Sequence, residues 1–254
     1  MIAERGIFVM GTDTGVGKTV VTASIALAAR AQGRTVAPLK PAQTGDPEVG
    51  YAEFVAALLG LDEPVEAIRP YALAAPLAPA VAAQLEGVRL DPGVVVRAYA
   101  DLSARYDLVV VEAAGGALVP FSDGVDMAAL AATLGLPVVV AARPGLGTLN
   151  HTLLTLEALH RRGLTVLGVV ISGYPDEPGL DALTNPSALA RLTPLPLLGA
   201  IAHDPGIDVE RGRAGRLAQT GPAGLDPLLG GTFSPARFRR EAEARLGTLV
   251  TTTG

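Results

Sequence analysis

Residues 11–19 read Gly11-Thr12-Asp13-Thr14-Gly15-Val16-Gly17-Lys18-Thr19. Glycines at this density let backbone amides curl into a nest for an anion, and a helix starting behind them adds its partial positive charge. In such a loop Lys18 reaches the β- and γ-phosphates of a nucleoside triphosphate, and the Thr19 hydroxyl binds Mg²⁺. The strict spacing G-x-x-x-x-G-K-[ST] asks for glycine at position 12. Thr12 stands there, and the glycine lies one place earlier. The apolar run before the loop and the helical pattern after it supply the context that the motif needs. Two further charges stand where apolar runs stop. Glu112 closes the run Leu108–Val111. A carboxylate there is costly unless it is paired or holds a metal, and enzymes of phosphoryl transfer keep an acidic Mg²⁺ partner at such a place. Glu112 also reads as a charge that simply caps the strand. Lys40 closes Thr35–Leu39. It would steady developing phosphoryl charge, although taken alone it reads equally as a surface lysine on a loop.

The elements that must position these groups follow from the apolar pattern. Ile7–Met10, Thr35–Leu39, Leu108–Val111, Pro137–Ala142, Val166–Ile171 and Leu197–Ile201 are near-continuous Val/Ile/Leu/Ala runs, as expected of strands covered on both faces. Helices are expected over Val20–Gln32, Glu53–Leu59, Pro92–Ala104 and Thr152–Arg162, with Gly33, Gly60 and Gly163 as stops. Pro70–Pro79 reads as a connection and 211–234, rich in Gly and Pro, as loop. Thr248–Gly254 is expected to fray. Strands separated by helices imply right-handed crossovers and a mostly parallel sheet with helices on both faces, an α/β fold. Ligands then belong at the carboxyl ends of the strands.

Composition narrows the function. The chain has 254 residues, 49% of them hydrophobic, which suits one domain with a full core. A net charge of −5 without a basic stripe argues against nucleic acid as a partner. With no cysteine there is no disulfide, thiolate metal site or cysteine nucleophile, and a reducing cytoplasm fits. The N-terminal residues Met1–Arg5 lack the basic start and long apolar core of a signal peptide. The Ala-rich stretch Ala128–Ala142 is broken by Gly135 and Pro137 and is too short to span a bilayer.

Four segments lie at strand ends together: the phosphate loop, Lys40-Pro41-Ala42-Gln43-Thr44-Gly45, Val111-Glu112-Ala113-Ala114-Gly115-Gly116, and Gly147-Thr148-Leu149-Asn150-His151-Thr152. In this order and spacing the chain resembles the dethiobiotin synthase family over most of residues 6–205. The resemblance implies a P-loop NTPase fold in a single domain over 1–254. It also implies an ATP- and Mg²⁺-dependent closure of a ureido ring on 7,8-diaminononanoate with CO₂. The family's pattern makes Lys40 and Lys18 catalytic and gives the metal to Thr19 and Glu112. It gives the nucleotide to Thr14, Gly15, Val16, Gly17, Lys18, Thr19 and Val20, and to Glu112, Ala113, Ala114 and Gly115. Ser172, Gly173, Ala202, His203 and Asp204 match the side that flanks the base. Substrate falls to Thr14, Lys40, Thr44, Gly115 and Gly116. The amides of Thr148, Leu149, Asn150 and His151 would bind the substrate carboxylate across the interface of a homodimer, with His151 itself also readable as a helix-start residue without a ligand.

The chain departs from the family at three places. Ala113 stands for a usual glycine. Tyr51 stands for an Mg²⁺-binding Asp, and a phenol is a poor Mg²⁺ ligand, so that Asp46, Glu48 or Glu53 substitutes or the metal keeps an extra water. Ser172 stands for an adenine-reading Asn and reaches less far, which predicts weak selection of ATP over other triphosphates. Three other readings share parts of the pattern. Partition and septum-site ATPases have a related loop with an extra lysine at its start, and Thr12-Asp13-Thr14 holds none. Amidotransferase-type synthetases need a glutaminase cysteine. A degenerate relative with the fold but little catalysis is the third.

Overall fold

The computed structural model describes residues 5–252. From the N-terminus, β1 (Gly6–Gly11) passes through the phosphate loop into α1 (Lys18–Ala31), which returns to β2 (Val36–Leu39). The short pair β3 (Gln43–Thr44) and β4 (Ala72–Leu73) brackets α2 (Tyr51–Leu59) and α3 (Val65–Ile68). Helices α4 (Pro79–Glu86) and α5 (Pro92–Arg105) lead to β5 (Leu108–Gly116). A ribbon of β6 (Pro120–Ser122) and β7 (Val125–Asp126) then leads to α6 (Met127–Leu134) and β8 (Val138–Ala142). Next come α7 (Thr148–Arg161), β9 (Val166–Tyr174), α8 (Leu180–Leu192) and β10 (Leu197–Ala202). The ribbon β11 (Ile207–Asp208) and β12 (Arg213–Ala214) precedes α9 (Leu217–Ala223) and α10 (Pro235–Thr252).

Six strands form one sheet in the order β10-β9-β8-β1-β5-β2, parallel throughout. The continuous apolar runs have the expected cause. Ile7 and Val9 face one buried cluster with α1, α2 and α9, while Phe8 and Met10 face the other with α5, α6 and α7. Both faces are covered, so polar alternation has no place. The strand order reverses at β1: β2 and β5 lie on one side of it and β8 on the other. That opens a crevice at the carboxyl end of β1, where the phosphate loop sits.

Several boundaries move in a way that matters for the site. β5 does not end before Glu112 but continues through Gly116, and Val9 is the register partner of Glu112. α2 starts at Tyr51 rather than Glu53. α7 starts at Thr148, so Thr148–His151 form its first turn instead of preceding it.

The segment 211–234 is only partly loop. α9 and a 3-10 turn at Pro227–Leu229 bury Leu217, Leu225 and Leu229 against α1 and the sheet. Its glycines serve close packing as much as turning: a Cβ on Gly221 would lie 2.5 Å from Ser24 Oγ of α1. The expected frayed tail is helical through Thr252. Thr253 and Gly254, the rest of that tail, lie outside the described residues, as do Met1–Glu4 of the stretch read as carrying no signal peptide. Among the described residues no helix is long and apolar enough to cross a membrane.

Candidate active site

The phosphate loop is shaped by two contacts that a side chain would block. At Gly11 a Cβ would come within 2.9 Å of Lys18 Nζ, so the glycine at 11 lets the lysine fold back over its own loop. Gly17, the residue before α1, has φ +83° and lies against Ser172, a conformation that glycine adopts without strain. Lys18 Nζ donates to Asp13 O at 2.9 Å. Burial, and next the charge of Lys40, lower the Lys18 pKa to about 8, with Glu112 and Asp13 opposing.

Beside the loop, three elements converge on one carboxylate oxygen. Thr19 Oγ1 from α1 donates to Glu112 Oε1 at 3.0 Å. Lys40 Nζ, from the end of β2, donates to the same oxygen at 2.7 Å and to Ala113 O at 2.8 Å. Lys40 and Glu112 are each 3% exposed. A buried pair of this kind costs desolvation that its attraction must offset, so its presence marks a site more surely than it marks stability. The ammonium also lies over the Tyr51 ring, 5.1 Å from the centroid.

These groups line a cleft of about 800 Å³ together with Thr14, Gly15, Gly17, Val20, Thr44, Ala114 and Gly115. A second cleft of about 300 Å³ adjoins the other side of the loop and is lined by Gly15, Val16, Gly17, Val20, Ser172, Gly173, Ala202, His203 and Asp204. Its polar side chains are partly committed: Asp204 accepts from Gly206 N and Arg216 N, which hold its carboxyl below the usual range.

Other residues singled out in the sequence lie elsewhere. Gly116 pairs with Gly11 in the sheet and sits behind the loop. Ala113 is buried and contributes its carbonyl to Lys40. The first turn of α7, with Thr148, Leu149, Asn150 and His151, is not part of the lining of either cleft. Thr148 N and His151 N are bonded to Gly145 O and Gly147 O.

Of the three carboxylates offered in place of an Asp at Tyr51, only Asp46 lines the main cleft. Glu53 is paired with Arg69 at 2.8 Å, and Glu48 faces Arg211 at 3.7 Å. Thr19 and Glu112 are two oxygen donors side by side at the loop, a set that suits Mg²⁺, which takes one or two protein oxygens and completes its shell with phosphate and water. Among the described residues no group of three or more His, Cys, Asp or Glu side chains could hold a metal by itself.

Sequence reasoning missed three lining groups. Glu210 lines the main cleft and accepts from the Tyr51 hydroxyl at 3.3 Å. Asp208 lines it too, with Arg213 and Arg211 keeping its carboxyl below the usual range. Arg143, at the end of β8, lines the smaller cleft, meets His151 Nδ1 at 2.9 Å and faces Asp13 at 3.7 Å. The composition marks a different pair: Lys18 and Lys40 are the only lysines, every other basic side chain except histidine being arginine.

Comparison with known proteins now decides among the readings. A sequence family described as an AAA domain matches residues 5–211. An ATP-dependent dethiobiotin synthetase of Anaeromyxobacter sp. (strain K) is 50% identical over 207 residues, covering 80% of this chain and 92% of that protein. The chain belongs to the dethiobiotin synthetase family. A synthetase of Parafrankia sp. (strain EAN1pec) is 44% identical and aligns over 92% of this chain and 97% of its own length. One from Bacillus velezensis, 38% identical over 77% of this chain and 85% of its own, extends the likeness. Among solved structures, the cell division ATPase MinD of Pyrococcus furiosus superposes with a TM-score of 0.56 at 19% identity, covering 95% of this chain and 99% of that one. At that identity it shows the shared fold alone, so a dethiobiotin synthetase and a septum-site ATPase are told apart by the site and not by the sheet.

Proposed function

We propose that this chain is an ATP-dependent dethiobiotin synthase of biotin biosynthesis, with the cleft around Lys18, Lys40 and Glu112 as its reaction site. One amine of 7,8-diaminononanoate takes up CO₂ and loses a proton to give a carbamate. A carbamate oxygen attacks the γ-phosphorus of ATP and ADP leaves. The second amine attacks the carbonyl of the carbamic–phosphoric anhydride, phosphate leaves, and the five-membered urea closes.

The observation that carries this reading is the buried Lys40–Glu112–Thr19 cluster facing the phosphate loop. Lys18 is suited to the β- and γ-phosphates. Lys40 has one N–H beyond those given to Glu112 and Ala113, and a fixed cation there stabilises both the carbamate and the charge that grows on the transferring phosphoryl group. Both donors are in place before reaction, so little reorganisation is needed. Thr44, Thr14 and Gly115 are suited to the diamine. Thr19 and Glu112 would hold Mg²⁺, which when bound neutralises phosphate charge. The smaller cleft, with Ser172, Gly173, Ala202, His203 and Asp204, is suited to the base. We read the chain as one cytoplasmic domain that works as a homodimer, the α7 first turn of one protomer meeting the substrate carboxylate held by the other. Support for the dimer is that this turn lines neither of its own clefts and reaches the smaller one only through the contact of His151 with Arg143.

The test is a single assay with 7,8-diaminononanoate, bicarbonate, Mg²⁺ and ATP, following the ring product by mass spectrometry. Product should form with the wild-type chain and vanish with Lys40→Ala. Near-normal turnover by Lys40→Ala would overturn the catalytic assignment. ATP hydrolysis that ignores the diamine would overturn the reaction.

A further inference from the structure

Lys40 is held on more sides than its hydrogen bonds account for. Two of its N–H groups are used by Glu112 Oε1 and Ala113 O. The Tyr51 ring holds the ammonium from a third side. A ring face attracts a cation through its quadrupole and does not neutralise its charge. The attraction is stronger where water is excluded, and Lys40 is almost fully buried. The third N–H is taken by no oxygen or nitrogen of the described residues, and the ring helps to fix the head.

Tyr51 is itself fixed. It is the first residue of α2, its amide donates to Gln43 Oε1 at 3.3 Å, and its hydroxyl donates to Glu210 Oε1 at 3.3 Å. Burial, and then Glu210, raise the phenol pKa, so the ring is neutral at working pH. A neutral ring leaves the charge of Lys40 whole, whereas a carboxylate at the same place would cancel part of it.

We propose that Tyr51 is a positioning residue for the synthase reaction, its ring face holding the Lys40 ammonium against Glu112 with one N–H left for a reacting oxygen. This rests on the reading of the cleft as the synthase site. Glycine, proline and apolar replacements elsewhere on α2 would not do this work, because the contact is with the ring.

Because Lys18 and Lys40 are the only lysines, protein labelled with [ε-¹³C]lysine gives two side-chain CH₂ signals, and Lys18→Arg assigns them. The Lys40 signal is expected upfield of its ordinary position through the ring current of Tyr51. Tyr51→Leu should return it to the ordinary position and lower kcat about tenfold, with KM for ATP changed by less than about twofold. Tyr51→Phe should restore both the shifted signal and most of kcat. The proposal requires both changes in the leucine variant and their rescue by phenylalanine, and any other pattern overturns it. Tyr51→Met repeats the apolar arm if the leucine variant does not fold. Failure of the synthase reading would look different: the wild-type chain would make no ring product, while the lysine signals would still report the ring above Lys40.

Discussion

The two clefts beside the phosphate loop are built from opposite materials. The larger holds Lys18, Thr19, Lys40 and Glu112, all nearly buried, the last three joined by short bonds that cross from α1 and the end of β2 to β5. The smaller is made of glycines, valines, Ser172 and the exposed residues Ala202 and His203, with Asp204 held by the Gly206 and Arg216 amides and the half-exposed Arg143 shared with His151 and Asp13. On the proposed reading, the difference follows from what each cleft must do. Charge that appears during a reaction is stabilised only by charges already fixed and shielded from water. A base changes little during phosphoryl transfer, so shape and a few main-chain groups suffice to seat it. The first cleft is therefore expected to be sensitive to single atoms and the second to be tolerant.

The sharpest way to break that comparison is to remove Glu112. Glu112→Ala strands the buried Lys40 ammonium with only a carbonyl and a ring, which destabilises by about 3–5 kcal/mol. In a chain of this length that lowers Tm by roughly ten degrees. Ring-product formation should fall by about 10²–10³-fold or more, since the carboxylate also orients Lys40 and Thr19. Asp204→Asn in the other cleft should cost less than about tenfold in kcat/KM. Thermal melting and the mass-spectrometric assay measure both. Equal losses from the two variants would show that the clefts do not differ as described.

The same contrast decides what could be read from the sequence. A charge that closes an apolar run is visible in one dimension, and Lys40 and Glu112 were visible for that reason. The phosphate loop was legible because a strand precedes it and a helix follows it. Tyr51 was legible only as a departure from a family pattern. Its partner Glu210 is 159 residues away, and nothing local connects them. Arg143 and His151 meet only because β8 ends beside the first turn of α7.

In the fold, the six main strands were legible from their apolar runs, but α4, α6, α8, α9 and α10 were not assigned. For α6 the signals existed: Asp126 caps it by accepting from Ala129 N, and Gly135 ends it with φ +66°. For α9 and the 3-10 turn after it, glycine and proline content outweighed the leucines at 217, 225 and 229. A glycine that lets two helices approach looks the same in a sequence as one that makes a turn.

A middle-sized effect separates the clefts by pH. Burial and Lys40 hold the Lys18 pKa at about 8 in the free protein. Below that value Lys18 is charged and meets the triphosphate directly. Above it, binding must first return a proton to the lysine, because the phosphates favour the charged form. ATP affinity should thus be flat below pH 8 and weaken above it, approaching about tenfold per pH unit. Lys40→Ala removes a like charge and should move the bend to higher pH. Calorimetric titration in buffers of different ionisation enthalpy would show the proton uptake. An affinity that stays flat to pH 9.5 would sink the assignment. The preference among bases should not follow this curve, because Lys18 does not line the smaller cleft.

The smallest effect tests the tolerance of the second cleft. Ser172 is pressed against the phosphate loop, where a Cβ on Gly17 would lie 2.3 Å from its hydroxyl oxygen. A hydroxyl placed under the loop reaches the base less well than a carboxamide would. ATP, CTP and GTP are therefore expected to differ by less than about tenfold in kcat/KM, in the range that weak contacts can discriminate. The form of the difference matters more than its size. Contacts to a base act alike on the bound triphosphate and on the transition state, so they should appear in KM and leave kcat nearly unchanged. Parallel kinetics with the three nucleotides measure this. A strong preference for ATP would overturn the reading of Ser172. Differences carried by kcat would overturn more, because they would mean that seating the base also moves Lys18 or Lys40, and the two clefts would then act as one.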